Sequence, residues 1–362
     1  MKSLLPFLAA ATVAFAAELS PAIFSPPAEF AGRGGEYRSP LLFADGTAVA
    51  TAADWPRRRA EIAREWHALM GAWPPLLEAP KLERLSETTR EGSSETFRQI
   101  RVRVEIAAGR HEEGWLLLPS GDGPFPAVIV PFYEPETSVG LGKSEERDFA
   151  RQLARRGFVA LAIGSPGGDA RAPEPGGVEW QPLSFLAWVA ANCHTALARQ
   201  SEVDAKRIGI VGHSYGGKWA MFAACLDERF ACSAWSDPGI VFDEARPNVN
   251  YWEPWYLGRE SGSKRKPGVV TAENPRTGAY RLMREQGRDL HELHALMAPR
   301  PFLVSGGSED PPARWLALHH TLAVNRLLGF ENRVAMTNRP AHSPTAESNE
   351  TLCAFFERFL KR

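Results

Sequence analysis

The chain has 362 residues, 44% of them hydrophobic and 23% charged, with 42 lysines and arginines against 43 acids. That hydrophobic share supplies a sizeable core and excludes a disordered chain, while a formal net charge of −1 removes the electrostatic basis for nucleic-acid or anionic-membrane partners. At about 150 residues per domain the length allows one enlarged domain or two, and 29 prolines, 31 glycines and 11 tryptophans imply many turns and shaped, aromatic loops.

The N-terminus has the order of an export signal: Lys2, an almost wholly apolar run over residues 4–15, and the small-x-small site Ala14-Phe15-Ala16. The apolar run is shorter than the roughly 20 residues a spanning helix needs. Residues 1–16 therefore read as a signal peptide, and the expected product is secreted or periplasmic, with no membrane partner after its removal. Residues 17–95 are expected to form an N-terminal arm. Its one strong helical pattern lies over 53–71, where Trp55, Ile62, Trp66 and Met70 recur at helical spacing.

From residue 96 the texture changes. Residues 97–106 alternate apolar and charged, predicting an antiparallel strand with 114–118 as its neighbour. Strands then alternate with helices: strand 127–132, helix 145–156, strand 158–163, helix 182–198, strand 207–211, helix 215–225 and strand 231–235. After a break come strand 300–305, a helix through 328, strand 332–336 and a closing helix over 347–360. This predicts an α/β domain over 96–362, with a mainly parallel central sheet, helices on both faces, and ligands beyond the carboxyl ends of the strands. Residues 238–290 break the rhythm and read as a lid-like insertion. Cys193, Cys225, Cys232 and Cys353 are widely spaced in apolar surroundings, and we read them as buried thiols in preference to disulfides.

The chemistry falls at strand ends. After strand 127–132 the loop reads Phe132-Tyr133-Glu134-Pro135; proline has no N–H, so Tyr133 is our choice of backbone oxyanion donor. Strand 207–211 runs into Gly212-His213-Ser214-Tyr215-Gly216, a G-x-S-x-G nucleophile elbow in its strand-turn-helix setting, with Ser214 as nucleophile and the Tyr215 N–H as the other donor. A serine nucleophile needs a base and the base an orienting carboxylate. His342, between the last strand and the closing helix, occupies the base position. Asp310, in Gly306-Gly307-Ser308-Glu309-Asp310 after the penultimate strand, is the preferred acid; Glu309 and Asp237 are the alternatives. Lys218, four residues past Ser214, is a candidate for substrate hydroxyls or a carboxylate. Trp252 and Trp255, within Tyr251-Trp252-Glu253-Pro254-Trp255-Tyr256, are candidates for a platform that stacks on sugar rings. In His291-Glu292-Leu293-His294 the histidines are three apart, where a metalloprotease helix needs four, so no metal is assigned.

From about residue 95 onward the chain resembles the α/β-hydrolase superfamily. The run Gly212 to Lys218 followed by Trp219 is similar to the G-x-S-x-x-G-K run of carbohydrate esterases of the glucuronoyl esterase and acetylxylan esterase type, and 289–301 looks like their approach to the acid loop. In that family the lysine matching Lys218 contacts sugar hydroxyls, and an arginine stands where this chain has Tyr215. The resemblance implies a secreted, cofactor-free serine esterase acting on plant-wall or other polysaccharide esters. A prolyl-oligopeptidase-like peptidase and a catalytically inactive glycan-binding homologue are the alternatives.

Overall fold

The computed structural model describes residues 19–88, 97–142, 145–172 and 180–361. The expected signal segment, 1–16, lies outside them. The described strands are β1 (Leu82–Thr88), β2 (Phe97–Ala107), β3 (Arg110–Pro119), β4 (Phe125–Pro131), β5 (Val159–Ile163), β6 (Val203–His213), β7 (Cys232–Ser236), β8 (Phe302–Gly306) and β9 (Val334–Asn338). They form one sheet in the order β1-β2-β3-β5-β4-β6-β7-β8-β9. Pairing is antiparallel from β1 through β3 to β5 and parallel from β5 through β4 to β9. The sheet is thus mixed and mainly parallel, as expected for an α/β-hydrolase fold.

The helices are α1 (Trp55–Met70), α2 (Pro135–Ser138), α3 (Phe149–Ala154), α4 (Pro182–Ala198), α5 (Tyr215–Leu226), α6 (Gly278–Glu285), α7 (His291–Ala295), α8 (Trp315–Leu327) and α9 (Ala346–Leu360). Successive strand residues point to opposite faces. Ala127, Ile129, Ile208 and Ile210 join the core made with α1, α4, α5, α7 and α8, whereas Val128, Val130 and Val211 join the core made with α3 and α9. Both faces of the central strands are therefore buried, which is why those strands read as continuous apolar runs. β1 was not foreseen because it is an edge strand none of whose described side chains is buried. Ladder bonds and surface ion pairs, Glu83–Arg103 at 3.8 Å and Glu87–Arg98 at 3.4 Å, accompany it in place of an apolar face.

In the arm, α1 buries Trp55, Ile62, Trp66 and Met70, and the Trp66 ring meets Phe222 of α5 at 6.3 Å. The insertion carries its own helix, α6, and α7 follows directly. The rings of His291 and His294 serve packing: His294 lies 5.3 Å from Trp235, and His291 Nε2 lies 2.6 Å from the Arg38 carbonyl, tying the arm to α7. All four cysteines are free and buried.

These buried histidines set an acid limit on stability. Burial pushes His194 down to about 4 and His291 and His294 to about 3, so they stay neutral in the fold and charge on unfolding once the pH drops below the ordinary histidine range. The unfolded chain then binds more protons, and stability falls as pH falls. Asp289 and Asp310 act oppositely: burial raises each to about 6, so they take up protons in the fold first. His213, held low by burial, adds to the histidine side, so stability is expected to fall from pH 7 to pH 5. Urea denaturation at the two pH values checks this, and an unchanged or higher stability at pH 5 contradicts it.

Candidate active site

Ser214 sits between β6 and α5 with φ 54° and ψ −112°, a left-handed conformation that a side chain adopts only under constraint from its surroundings. The flanking glycines create the space. A Cβ on Gly212 would lie 2.1 Å from the Gly216 carbonyl oxygen, and one on Gly216 would lie 2.1 Å from the Pro131 carbonyl oxygen of β4. The Ser214 N–H bonds the Ser236 carbonyl of β7 at 2.8 Å, pinning the turn to the neighbouring strand. The side chain is left half-buried at the carboxyl edge of the sheet.

His342 lies between β9 and α9, and its ring is 4.6 Å from that of His213, the residue just before Ser214. Its Nδ1 is 2.7 Å from Oδ2 of Asp237, the first residue after β7. Asp237 is fully buried, and its Oδ1 accepts from the N–H groups of Gly307 at 2.6 Å, Asp310 at 2.9 Å and Glu309 at 3.2 Å. This corrects the preference for Asp310. The loop after β8 supplies backbone donors to the Asp237 carboxylate, and a Cβ on Gly307 would strike Asp237 Oδ2 at 2.6 Å. The Asp310 carboxylate instead accepts from Gly239 N–H at 2.8 Å and Ile240 N–H at 2.6 Å, at the root of the insertion. Glu309 pairs with Arg246 at 3.2 Å and does not meet His342.

Around Ser214, the Phe132 N–H is committed to the Ile163 carbonyl at 3.1 Å, which leaves Tyr133 as the first loop residue able to offer its N–H. The Tyr215 N–H opens α5 and has no partner within that helix. The Tyr133 ring stacks on Tyr215 at 4.8 Å, with the Ser214 side chain near its phenol. Partial desolvation raises that phenol above the usual tyrosine range, against an opposing effect of Ser214, so it stays protonated at neutral pH. The Tyr215 side chain is buried, with its hydroxyl 2.9 Å from Ser165 Oγ, so only its backbone faces the site.

The other expected substrate residues divide. Lys218 is buried; it donates to the Pro238 carbonyl and lies 4.9 Å over the Tyr251 ring and 5.6 Å over the Tyr256 ring. Burial lowers it to about 8, and Asp310, Glu309 and Asp237 oppose that shift. These contacts tie Lys218 to the root of the insertion. Trp252 is no platform: it is buried, with Nε1 bonded to the Gly268 carbonyl at 3.0 Å. Trp255 is half-buried and lines, with Arg171, Asn250 and Glu253, a cavity of about 310 Å³. Two residues that sequence reasoning gave no role, His213 and Arg339, lie against His342. Among the described residues no cluster of three His, Cys, Asp or Glu is placed to hold a metal ion, and no helix is long and apolar enough to cross a membrane.

A model of the prolyl oligopeptidase family matches residues 190–314. Among curated proteins, the chain is 27% identical over 174 residues to a carbohydrate esterase, MZ0003, of an unknown prokaryotic organism; the match covers 44% of this chain and 36% of that protein. It is 24% identical over 351 residues to 4-O-methyl-glucuronoyl methylesterase 1 of Wolfiporia cocos, covering 89% of this chain and 80% of that protein. Among solved structures, a glucuronoyl esterase from Solibacter usitatus superposes with a TM-score of 0.70 at 19% identity, covering 89% of this chain and 97% of that one. The chain has the α/β-hydrolase fold of these esterases.

Proposed function

We propose that the protein is an exported serine esterase that hydrolyses carboxylic esters of a carbohydrate substrate. The observation that carries this reading is the convergence of a strained elbow serine and a histidine bonded to a buried, amide-cradled aspartate. Ser214 Oγ attacks the ester carbonyl carbon while His342 Nε2 takes its proton. Asp237 holds the imidazole through Nδ1 and stabilises the imidazolium. The N–H groups of Tyr215 and Tyr133 and the Tyr133 hydroxyl receive the oxyanion. Collapse expels the alcohol with the proton from His342, and water clears the acyl-enzyme by the same steps in reverse. The names of the similar proteins point to a methyl glucuronate or related sugar ester, and the half-buried Trp255 beside Arg171 offers a ring face for the sugar.

The match to the prolyl oligopeptidase family supports a second reading, a peptidase with the same triad. Against it, all nine described strands belong to one sheet, so the described residues hold no propeller to gate peptides. Turnover of a methyl glucuronate ester, acetylated xylan, 4-nitrophenyl acetate and a prolyl peptide amide separates the readings. Hydrolysis of a carbohydrate ester is expected; cleavage of the peptide with no ester turnover overturns the esterase reading.

Tyr133→Phe removes a donor and leaves the stacked ring. It is expected to lower kcat by about 10²-fold with KM little changed, since an oxyanion donor acts on charge that develops only in the transition state. Tyr215→Phe, which touches only the buried contact with Ser165, is the control. Equal kcat for Tyr133→Phe and the parent removes the phenol from the mechanism.

A further inference from the structure

The base loop, Arg339-Pro340-Ala341-His342-Ser343-Pro344, has prolines on both sides of the histidine and so is short of backbone donors. Arg339 supplies them. It is buried, and its guanidinium donates from Nε to the Ser343 carbonyl at 2.7 Å and from Nη2 to the His342 carbonyl at 2.7 Å. Nη1 reaches the Ser305 carbonyl at 2.8 Å, Ser305 Oγ at 3.1 Å and the Gly306 carbonyl at 3.2 Å, while Nη2 also meets Ser236 Oγ at 3.3 Å. One rigid fork therefore joins the end of β7, beside Asp237, to the end of β8 and to the main chain of the base. A lysine presents a point charge on a flexible stem and could not span these acceptors.

Ser236 Oγ links this fork to a second ring. It lies 3.1 Å from His213 Nδ1, and the His213 ring rests against His342. Asp237 grips His342 at one ring nitrogen, which leaves the tilt of the ring about that bond to other contacts. His213 supplies a face. The cations around His213 are Arg339, Arg147 and the imidazolium that His342 becomes; with burial, they hold it well below the ordinary histidine range, so a neutral ring faces His342 when the latter takes the serine proton.

We propose that Arg339 and His213 are positioning residues for His342: the guanidinium fixes the main chain of the base loop against β7 and β8, and the His213 ring, tied through Ser236, sets the tilt of the imidazole that Asp237 orients. This rests on the reading of His342 as the base. It goes further by assigning the geometry of that base to two side chains that do not touch the reacting atoms.

The test uses the full chain and 4-nitrophenyl acetate, with kcat, KM and thermal unfolding measured for Arg339→Ala, Arg339→Lys, His213→Phe and the control His342→Ala. A displacement of about 1 Å in a catalytic group can cost 10²-fold. Arg339→Ala is expected to lose about 10²-fold in kcat with KM within about threefold. Guanidinium chloride at tens of millimolar, far below denaturing concentrations, should restore at least tenfold where equal urea or sodium chloride does not. Arg339→Lys should not rescue the loss. His213→Phe, which keeps the ring and cuts the tie to Ser236, should lose about tenfold in kcat with KM unchanged. If Arg339→Ala does not fold, Arg339→Lys and His213→Phe decide by the same split. Parent kcat in both, or a loss confined to KM or to thermal stability without guanidinium rescue, overturns the proposal while leaving the triad standing. Parent activity in His342→Ala overturns the triad and this inference together.

Discussion

Asp237→Asn is expected to lower kcat about 10⁴-fold, because asparagine keeps the shape of the acid but loses the charge that opposes the imidazolium and the acceptor that fixes the His342 tautomer. The geometry separates this variant from its neighbour. The Asp237 carboxylate faces His342 with one oxygen and three backbone N–H groups with the other, so its amide would also turn a donor toward donors. Asp310→Asn disturbs instead the bonds from Gly239 and Ile240 that seat the insertion. It is expected to cost stability of about 1–3 kcal/mol, the range for disturbing a buried hydrogen-bonded group, with kcat within about tenfold of the parent. Matched kinetics and urea denaturation of the two variants check the pair. The reverse order, Asp310→Asn inactive and Asp237→Asn active, contradicts the assignment.

Ser214→Ala carries the largest effect, a loss of about 10⁶-fold in kcat, since every step from attack to deacylation passes through its oxygen. Removing only the Oγ leaves the strained turn, the elbow glycines, the Ser236 carbonyl contact and the His342–Asp237 pair in place, so thermal stability should be close to the parent's. Residual turnover over water would come from Tyr215, Tyr133 and binding. Steady-state rates on 4-nitrophenyl acetate together with thermal unfolding separate a catalytic loss from a folding loss.

Much of the fold and the elbow turn around Ser214 were legible because they rest on local rules. Buried parallel strands must be apolar along their length, and the elbow needs glycine at positions 212 and 216 whatever surrounds it. β1 escaped notice because an edge strand without a buried face carries no apolar alternation. The partner of His342 was not legible because Asp237 and Asp310 both follow neighbouring strands, and strand position alone cannot say which carboxylate turns toward it. One sequence signal did bear on it: Gly306-Gly307 marks a close backbone approach, so that loop presents amides to a partner's carboxylate. The burial of Lys218 and Trp252 was not legible for a related reason. A cation or an aromatic in a loop has the same letter whether it lines a cleft or braces an insertion, and only burial distinguishes them. His213 and Arg339 act through side chains brought together from β6, β7, β8 and the base loop, a meeting that no spacing encodes.

The most direct test of the account is covalent labelling. The purified protein is treated with a fluorophosphonate, digested, and the adduct located by mass spectrometry, with His342→Ala and Asp237→Asn alongside. The account predicts one stoichiometric adduct on Ser214 in the parent and labelling slowed by orders of magnitude in both variants. An unlabelled Ser214 in folded protein, or an adduct on another residue, would contradict it.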